Sequence, residues 1–272
     1  MNDATSYQNI DNYMHNITEI IKIGADYLID SLGNCAVETQ KGNRDFSLTT
    51  DVALEKIYTK RLLELYPDIP ILGEELATNI VSNDYQGLFW AIDPIDGTVN
   101  FSRRMPEYGT SIALIEHGKP IAVGVAFPSL QETYIAGKGK GAYLNGNRIH
   151  VSKIEDLRSS ILAFGDFSVK INYEIENQTR LKYFEKFVNE VLRVRMPGSA
   201  ALQLAWVASG KADISLTLSN NAWDVQGGVL LVREAGGVVY DFNSSDHNIS
   251  SEYTIASNPN NKKFVIDLIS RV

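Results

Sequence analysis

Leu88-Phe89-Trp90-Ala91-Ile92-Asp93-Pro94-Ile95-Asp96-Gly97-Thr98-Val99-Asn100-Phe101 is an apolar run that ends in two aspartates, a glycine and a hydroxyl residue. Hydrophobic β-type residues bounded by Pro and Gly read as a buried strand running out into a turn. That turn holds two carboxylates at a strand end, with no lysine or arginine among them. Like charges forced together in a partly buried site need a counter-charge, and a divalent cation is the usual one. Taken alone, Asp-Pro followed by Asp-Gly is also the composition of an ordinary surface turn. The rest of the chain has to decide.

On the N-terminal side, Ile10, Tyr13, Met14, Ile17, Ile20, Ile21, Gly24 and Leu28 share one face of a long first helix. Asn34 to Ser47 is polar, and Lys41-Gly42-Asn43 marks a loop or hairpin. Thr50 or Asp51 can cap a second helix that runs to about Tyr66 and is closed by Pro67. Ile69-Pro70-Ile71-Leu72 is a short apolar run that stops at Gly73-Glu74-Glu75. On the C-terminal side, Thr110–Glu116, Pro120–Phe127, Glu132–Ala136 and Ala142–Val151 read as strands. The Gly-rich turns between them, with Asn145-Gly146 a hairpin dipeptide, make this an antiparallel meander. Beyond it, strands are expected at Ser160–Phe164, Ala212–Leu218, Val238–Asp241 and Tyr253–Ala256. Helices are expected at Glu176–Val191, Ala200–Ser209, Asp224–Glu234 and Lys262–Arg271. Helices first, strands in the middle and mixed elements last give a layered α+β architecture.

The chain has 272 residues, 44% of them apolar, enough for a substantial core. No linker, repeat or low-complexity tract divides it, so one continuous unit is expected over 1–272, with approximate lobes 1–155 and 156–272. A net charge of -8 argues against a nucleic-acid backbone as the main partner. It does not argue against an anionic small substrate, since bound metal inverts the local field. Cys35 is the only cysteine, so no intrachain disulfide forms and a reducing compartment is expected. The polar, acidic N-terminal segment has no export signal, and Ile121–Phe127 is too short to span a bilayer. A cytoplasmic location without membrane partners follows as the expectation.

Four acidic elements share one context, each at the end of a predicted strand or the start of a predicted helix: Asp51, Glu74-Glu75, Asp93 with Asp96, and Asp224. Singly, Asp51 and Asp224 read as helix caps and Glu74-Glu75 as a solvated turn. Together they make an oxygen-only donor set that suits a hard cation, Mg2+ above all. No cysteine or histidine lies near them, which weighs against zinc. His15, His117, His150 and His247 are scattered and read as ordinary surface or loop histidines. Gly97-Thr98 adds backbone amides that can meet an anion beside the metals.

Gly73-Glu74-Glu75, the Asp93–Thr98 string with Asn100-Phe101, and the distant Trp223-Asp224 resemble the inositol monophosphatase family of Mg2+-dependent, lithium-sensitive phosphatases. Further matches are Lys138–Ala142 with Asn145-Gly146, Gly198–Ala201, and Glu234–Gly237, so the resemblance covers nearly the whole chain. It implies an αβαβα layered sandwich of the inositol monophosphatase and fructose-1,6-bisphosphatase type, commonly a homodimer. It also implies two to three Mg2+ per active site and a small phosphorylated metabolite as substrate. Glu74 and Asp93, with the Ile95 carbonyl, would hold the first metal. Asp93, Asp96 and Asp224 would hold a second, and a third would share Glu74 with water. Thr98, oriented by Asp51, would activate the attacking water. The Gly97 and Thr98 amides would hold the phosphate, with Asp96, Gly198, Ser199, Ala200, Thr217 and Asp224 facing the substrate. Lys41 lies roughly where the family has a loop lysine near the active site, and its role stays open.

Such a site hydrolyses a phosphomonoester with metal-activated water and needs no covalent intermediate, consistent with the lack of a G-x-S-x-G string, a P-loop or a Cys/His pair. Val99-Asn100-Phe101 matches the inositol phosphatase branch rather than the adenosine bisphosphate branch. The inositol-phosphate enzymes, however, place an acidic residue seven positions before the Trp-Asp aspartate, where this chain has Thr217. Leu218-Ser219-Asn220-Asn221 is polar and can rebuild that contact differently. Inositol monophosphate is the first expectation; histidinol phosphate, fructose 1,6-bisphosphate and other sugar or cyclitol phosphates are the alternatives. A metal-binding regulatory protein without catalysis is the non-enzyme alternative. A glycosidase is disfavoured, because Asp93 and Asp96 are too close in sequence to flank a sugar ring.

Overall fold

The computed structural model describes residues 9–34, 36–41, 46–76, 87–169, 173–218 and 220–270. Cys35, Gly42-Asn43 and Ser219 lie outside the described residues. Helix α1 (Ile10–Asp30) buries the face that its apolar spacing foretells, with Ile17, Ile21 and Leu28 fully enclosed. It crosses α2 (Thr49–Leu65) at Gly24, where a Cβ would meet the Tyr58 hydroxyl at 1.6 Å. The loop before α2 is an antiparallel pair, β1 (Val37–Gln40) and β2 (Phe46–Leu48). Asp51 is three residues inside α2 from Leu48, and its carboxylate reaches back to accept from the Leu48 amide at 2.9 Å. It therefore supplies the returning half of a capping box.

A seven-stranded sheet follows: β3 (Ile71–Gly73), β4 (Leu88–Asp96), β5 (Gly109–Glu116), β6 (Lys119–Phe127), β7 (Glu132–Gly137), β8 (Gly141–Leu144) and β9 (Asn147–Arg148), in that spatial order. Only β3–β4 is parallel; the rest is the expected meander, with the last predicted strand split at Asn145-Gly146 into β8 and β9. The strands read as nearly unbroken apolar runs because both faces are covered. Phe89, Ala91, Ala113 and Ile115 belong to one core. Trp90, Ile92, Ile112 and Leu114 alternate into another, with α1 and α2. Covering the first face are α5 (Ala200–Ala208) and α6 (Ala222–Glu234).

A five-stranded sheet closes the other side of α5 and α6. Its order is β11 (Arg193–Arg195), β10 (Ile161–Phe164), β12 (Ile214–Thr217), β14 (Thr254–Ser257), β13 (Val238–Tyr240). Leu162, Phe164, Ile214 and Leu216 point away from α5 and α6 into a third core. There they meet Phe187 of α4 (Tyr173–Val188) and Val265 of α7 (Lys262–Ile269). The layers are thus helices, sheet, helices, sheet, helices, as the resemblance implies. Three local differences stand out. Helix α4 starts earlier than its apolar pattern indicates and stops at Val188, and β11 is a short edge strand absent from the sequence reading. His247 is fully buried rather than on the surface, with Nε2 2.8 Å from the Thr254 hydroxyl. Among the described residues no helix is long and apolar enough to cross a membrane.

Candidate metal and catalytic centre

The Asp93–Asp96 segment is not a free turn. Strand β4 continues to Asp96, but its register slips between the pairs Asp93↔Ser111 and Asp96↔Gly109, three residues facing two. This is a β-bulge at Pro94-Ile95, where a residue without an N–H costs the ladder nothing. The extra residue reverses the alternation: Ile95 packs with Trp90 and Ile92, while Asp93 and Asp96 both turn toward α5 and α6. Two aspartates three apart in a regular strand would face opposite sides. The bulge is what brings them to one site.

Carboxylate oxygens of Glu74 (after β3), Asp93 (β4) and Asp224 (first turn of α6) lie within 4.8 Å of one another. Burial, reinforced by Glu74, Asp96 and Asp224, holds the Asp93 carboxyl well above the usual carboxylate range. Asp224 is raised in the same way, by burial and by Glu74 and Asp96. Asp93 Oδ1 is buried with no hydrogen-bond donor among the described residues. Among the described residues, one cation is paired with the group. The Lys41 ammonium bridges Glu74 at 2.9 Å and Glu75 at 2.6 Å. Burial would lower its pKa, but the two carboxylates together raise it. Three converging carboxylates and an orphaned buried oxygen fit a hard divalent cation, whose charge removes the mutual repulsion.

Asp96 is engaged differently. Its carboxylate accepts from the Ser199 hydroxyl at 2.5 Å and from the Ala201 and Ala200 amides at 2.7 and 3.2 Å. It thereby anchors the start of α5, while Ser199 Oγ also caps that helix by accepting from the Leu202 amide. Burial pushes the Asp96 carboxyl up to about 6 against the lowering effect of these donors. Asn100 ties the same pieces together, donating to the Glu107 and Pro197 carbonyls at 2.7 Å each. Gly97, at φ +89°, sits where a Cβ would come 3.0 Å from the Glu107 carbonyl and 3.3 Å from that of Gly198. Only glycine fits there.

Beside the cluster, Thr98 opens the short helix α3 (Thr98–Ser102), and its Oγ1 lies 3.1 Å from the Ile95 carbonyl and 3.4 Å from Asp51 Oδ1. A hydroxyl has one proton, so it serves one of these acceptors at a time. Burial pushes the Asp51 carboxyl up to about 7, against the Leu48 amide and with help from Glu75 and Glu74. Thr217, by contrast, lies at the end of β12, with its hydroxyl 3.4 Å from Gln203 Oε1. It lines a cavity of about 230 Å3 together with Gly198, Ser199 and Ala200.

Glu55 escaped the sequence reading. It is buried in α2, one turn after Asp51, and accepts from the Glu75 and Leu76 amides at 2.8 and 2.9 Å. A Cβ on Gly73 would strike it at 1.9 Å. The available signal was an acid four residues from Asp51 among the buried positions Leu54, Tyr58 and Leu62 of α2.

The model of the inositol monophosphatase family matches residues 11–272. The chain belongs to that family. Among its relatives, the "Nus factor SuhB" of Xylella fastidiosa is 40% identical over 210 residues, 76% of this chain and 73% of that protein. The "Fructose-1,6-bisphosphatase/inositol-1-monophosphatase" of Thermotoga maritima is 34% identical over 232 residues, 82% of this chain and 81% of its own length. The crystal structure of the extragenic suppressor protein SuhB from Bartonella henselae superposes with a TM-score of 0.87 at 30% identity, covering 95% of this chain and 98% of that one. These relatives leave one expectation without support. With a Nus factor among them, the exclusion of nucleic acid as a partner finds no support. The physical reason is that a net charge is a sum over the whole chain and does not set the sign of any one patch.

Proposed function

We propose that this family member is a Mg2+-dependent phosphomonoesterase acting on a small polyol phosphate, with inositol monophosphate the first substrate to test. The observation that carries the reading is the Glu74–Asp93–Asp224 cluster with the Thr98–Asp51 pair directly beside it. Glu74, Asp93 and Asp224, with Asp96 and the Ile95 carbonyl, would hold the cations. Bound cations supply a nucleophilic water near neutral pH and charge neutralisation for the phosphoryl and leaving oxygens. Thr98 orients the attacking water by accepting its hydrogen while donating its own to Asp51. Asp51, buried beside that hydroxyl, is the acceptor that fixes which way the Thr98 proton points. The Gly97 and Thr98 amides donate to phosphoryl oxygens, and the room for that approach comes from the absent side chain at Gly97. Lys41 balances Glu74 and Glu75 at the open side of the cluster.

Phosphate release from inositol 1-phosphate and from a generic ester, with Mg2+ and after its removal by chelation, tests the reading. Activity that requires Mg2+ is expected, with a loss on the order of a thousandfold in Asp93→Asn. Inhibition by LiCl but not KCl is expected as well, from the family resemblance. An Asp93→Asn protein with near wild-type turnover at saturating Mg2+ refutes the cation assignment. Absence of phosphate release by the wild type favours the non-catalytic, metal-binding alternative.

A further inference from the structure

With Asp93 paired to Ser111 and Asp96 to Gly109, Thr110 is the one residue of β5 opposite Pro94-Ile95. A bulge disrupts the ladder locally and leaves main-chain groups in need of other partners. Thr110 supplies one: its Oγ1 donates to the Asp93 main-chain carbonyl at 3.1 Å. A threonine hydroxyl has one proton and a carbonyl only accepts, so that proton is committed. The Tyr58 hydroxyl of α2 lies 2.9 Å from the same Oγ1 and therefore donates to it. Both side chains are fully buried.

This relay reaches the metal centre from behind. The Asp93 carboxylate meets Asp224 of α6 on one face of the sheet, whereas Tyr58 packs with Trp90 and Ile92 on the other. The missing side chain at Gly24 is what lets the Tyr58 hydroxyl stand there. Burial, with the Asp93 charge adding to it, raises the Tyr58 phenol above its ordinary value against the Thr110 hydrogen bond, so it remains an O–H donor at neutral pH. A valine and a phenylalanine would fill the same core, and a buried hydroxyl costs desolvation that only a partner offsets. Among the described residues, the hydrogen bonds of these two hydroxyls lead only to the Asp93 carbonyl. Holding that oxygen fixes the planar peptide between Asp93 and Pro94. The locked φ of Pro94 passes the orientation on to Ile95.

We propose that Thr110 and Tyr58 are positioning residues for the metal centre, donating in series to the Asp93 carbonyl so that the bulge holds the Asp93 carboxylate and the Ile95 carbonyl ready for a cation. This rests on the cation assignment above. The test is direct binding of Mn2+, which stands in for Mg2+ on oxygen ligands, measured by calorimetry on metal-free protein. Thr110→Val keeps the shape without the hydroxyl and is expected to weaken Mn2+ binding about tenfold, as loss of a group that orients a ligand does. Thr110→Ser, which keeps the donor, restores most of the affinity. Tyr58→Phe leaves Thr110 in place but unsupported, and weakens binding by a smaller factor, about threefold. The double variant Thr110→Val/Tyr58→Phe binds no more weakly than Thr110→Val alone, because Tyr58 acts only through Thr110. Urea unfolding of the metal-free variants reads packing losses separately, and affinity per folded protein does not follow them. A Thr110→Val affinity within about twofold of wild type overturns the proposal. So does a Tyr58→Phe loss that persists in full on top of Thr110→Val. Wild type that binds no Mn2+ defeats the cation assignment and the proposal with it, whereas binding that the variants leave unchanged defeats the proposal alone.

Discussion

Thr98 is a residue whose importance far exceeds its contacts. Its hydroxyl has two acceptors in reach, the Ile95 carbonyl and Asp51, and donates to one of them at a time. Losing that bond costs little stability, about 1 kcal/mol. Orientation of an attacking water, however, is felt mainly in the transition state. Thr98→Ala is therefore expected to lower kcat by about a hundredfold or more while changing KM little. Steady-state kinetics at saturating Mg2+ check this, and Thr98→Ser, which keeps the hydroxyl, is expected to restore much of the rate. A pure KM effect would make Thr98 a substrate-positioning residue instead.

At the scale of elements, α2 and the β4 bulge do most of the assembly. Helix α2 delivers Asp51 toward Thr98 and, one turn later, Glu55 toward the Glu75 and Leu76 amides. Glu55 touches no ligand in the cluster; it acts by fixing the backbone that carries Glu74. Groups that orient metal ligands typically control affinity for the metal. Glu55→Ala is expected to raise the Mg2+ concentration for half-maximal activity by about tenfold or more, with a smaller drop in kcat at saturating Mg2+. A Mg2+ titration monitored by phosphate release reads both quantities. An unchanged half-saturation point would reduce Glu55 to a structural contact.

Across the whole molecule, pH acts on packing through His247. Burial, with Arg233 adding to it, pulls its pKa from 6.5 down to about 4, although Asp241 and Asp246 pull the other way. Between those values the unfolded chain binds a proton that the native chain refuses. Stability from this group is thus full above pH 6.5 and is lost as pH falls toward 4, on the order of 3 kcal/mol in all. The carboxylates of the metal centre titrate with the opposite sign, so the wild-type curve alone mixes the two. The difference in unfolding free energy between wild type and His247→Gln isolates the histidine. It is expected to shrink steadily from pH 7 to pH 4 in urea denaturation, and a difference independent of pH would refute the assignment.

The sequence by itself determined most elements and the layering, because a strand covered on both faces must be apolar throughout and a packed helix must be apolar on one side. The alternation of Phe89 to Ile92 and the face of α1 are direct consequences. The motif also made the carboxylates stand out, since unpaired acids at strand ends need a reason. Their convergence was decided only in three dimensions. Glu74, Asp93 and Asp224 come from three elements, and periodicity along one chain says nothing about the distance between them. The bulge at Pro94-Ile95 appears only when β4 is paired with β5, because a register slip is a property of two strands. Glu55 stayed hidden for the same reason: it looks like a helix-surface acid until burial and the Glu75 and Leu76 amides give it its role.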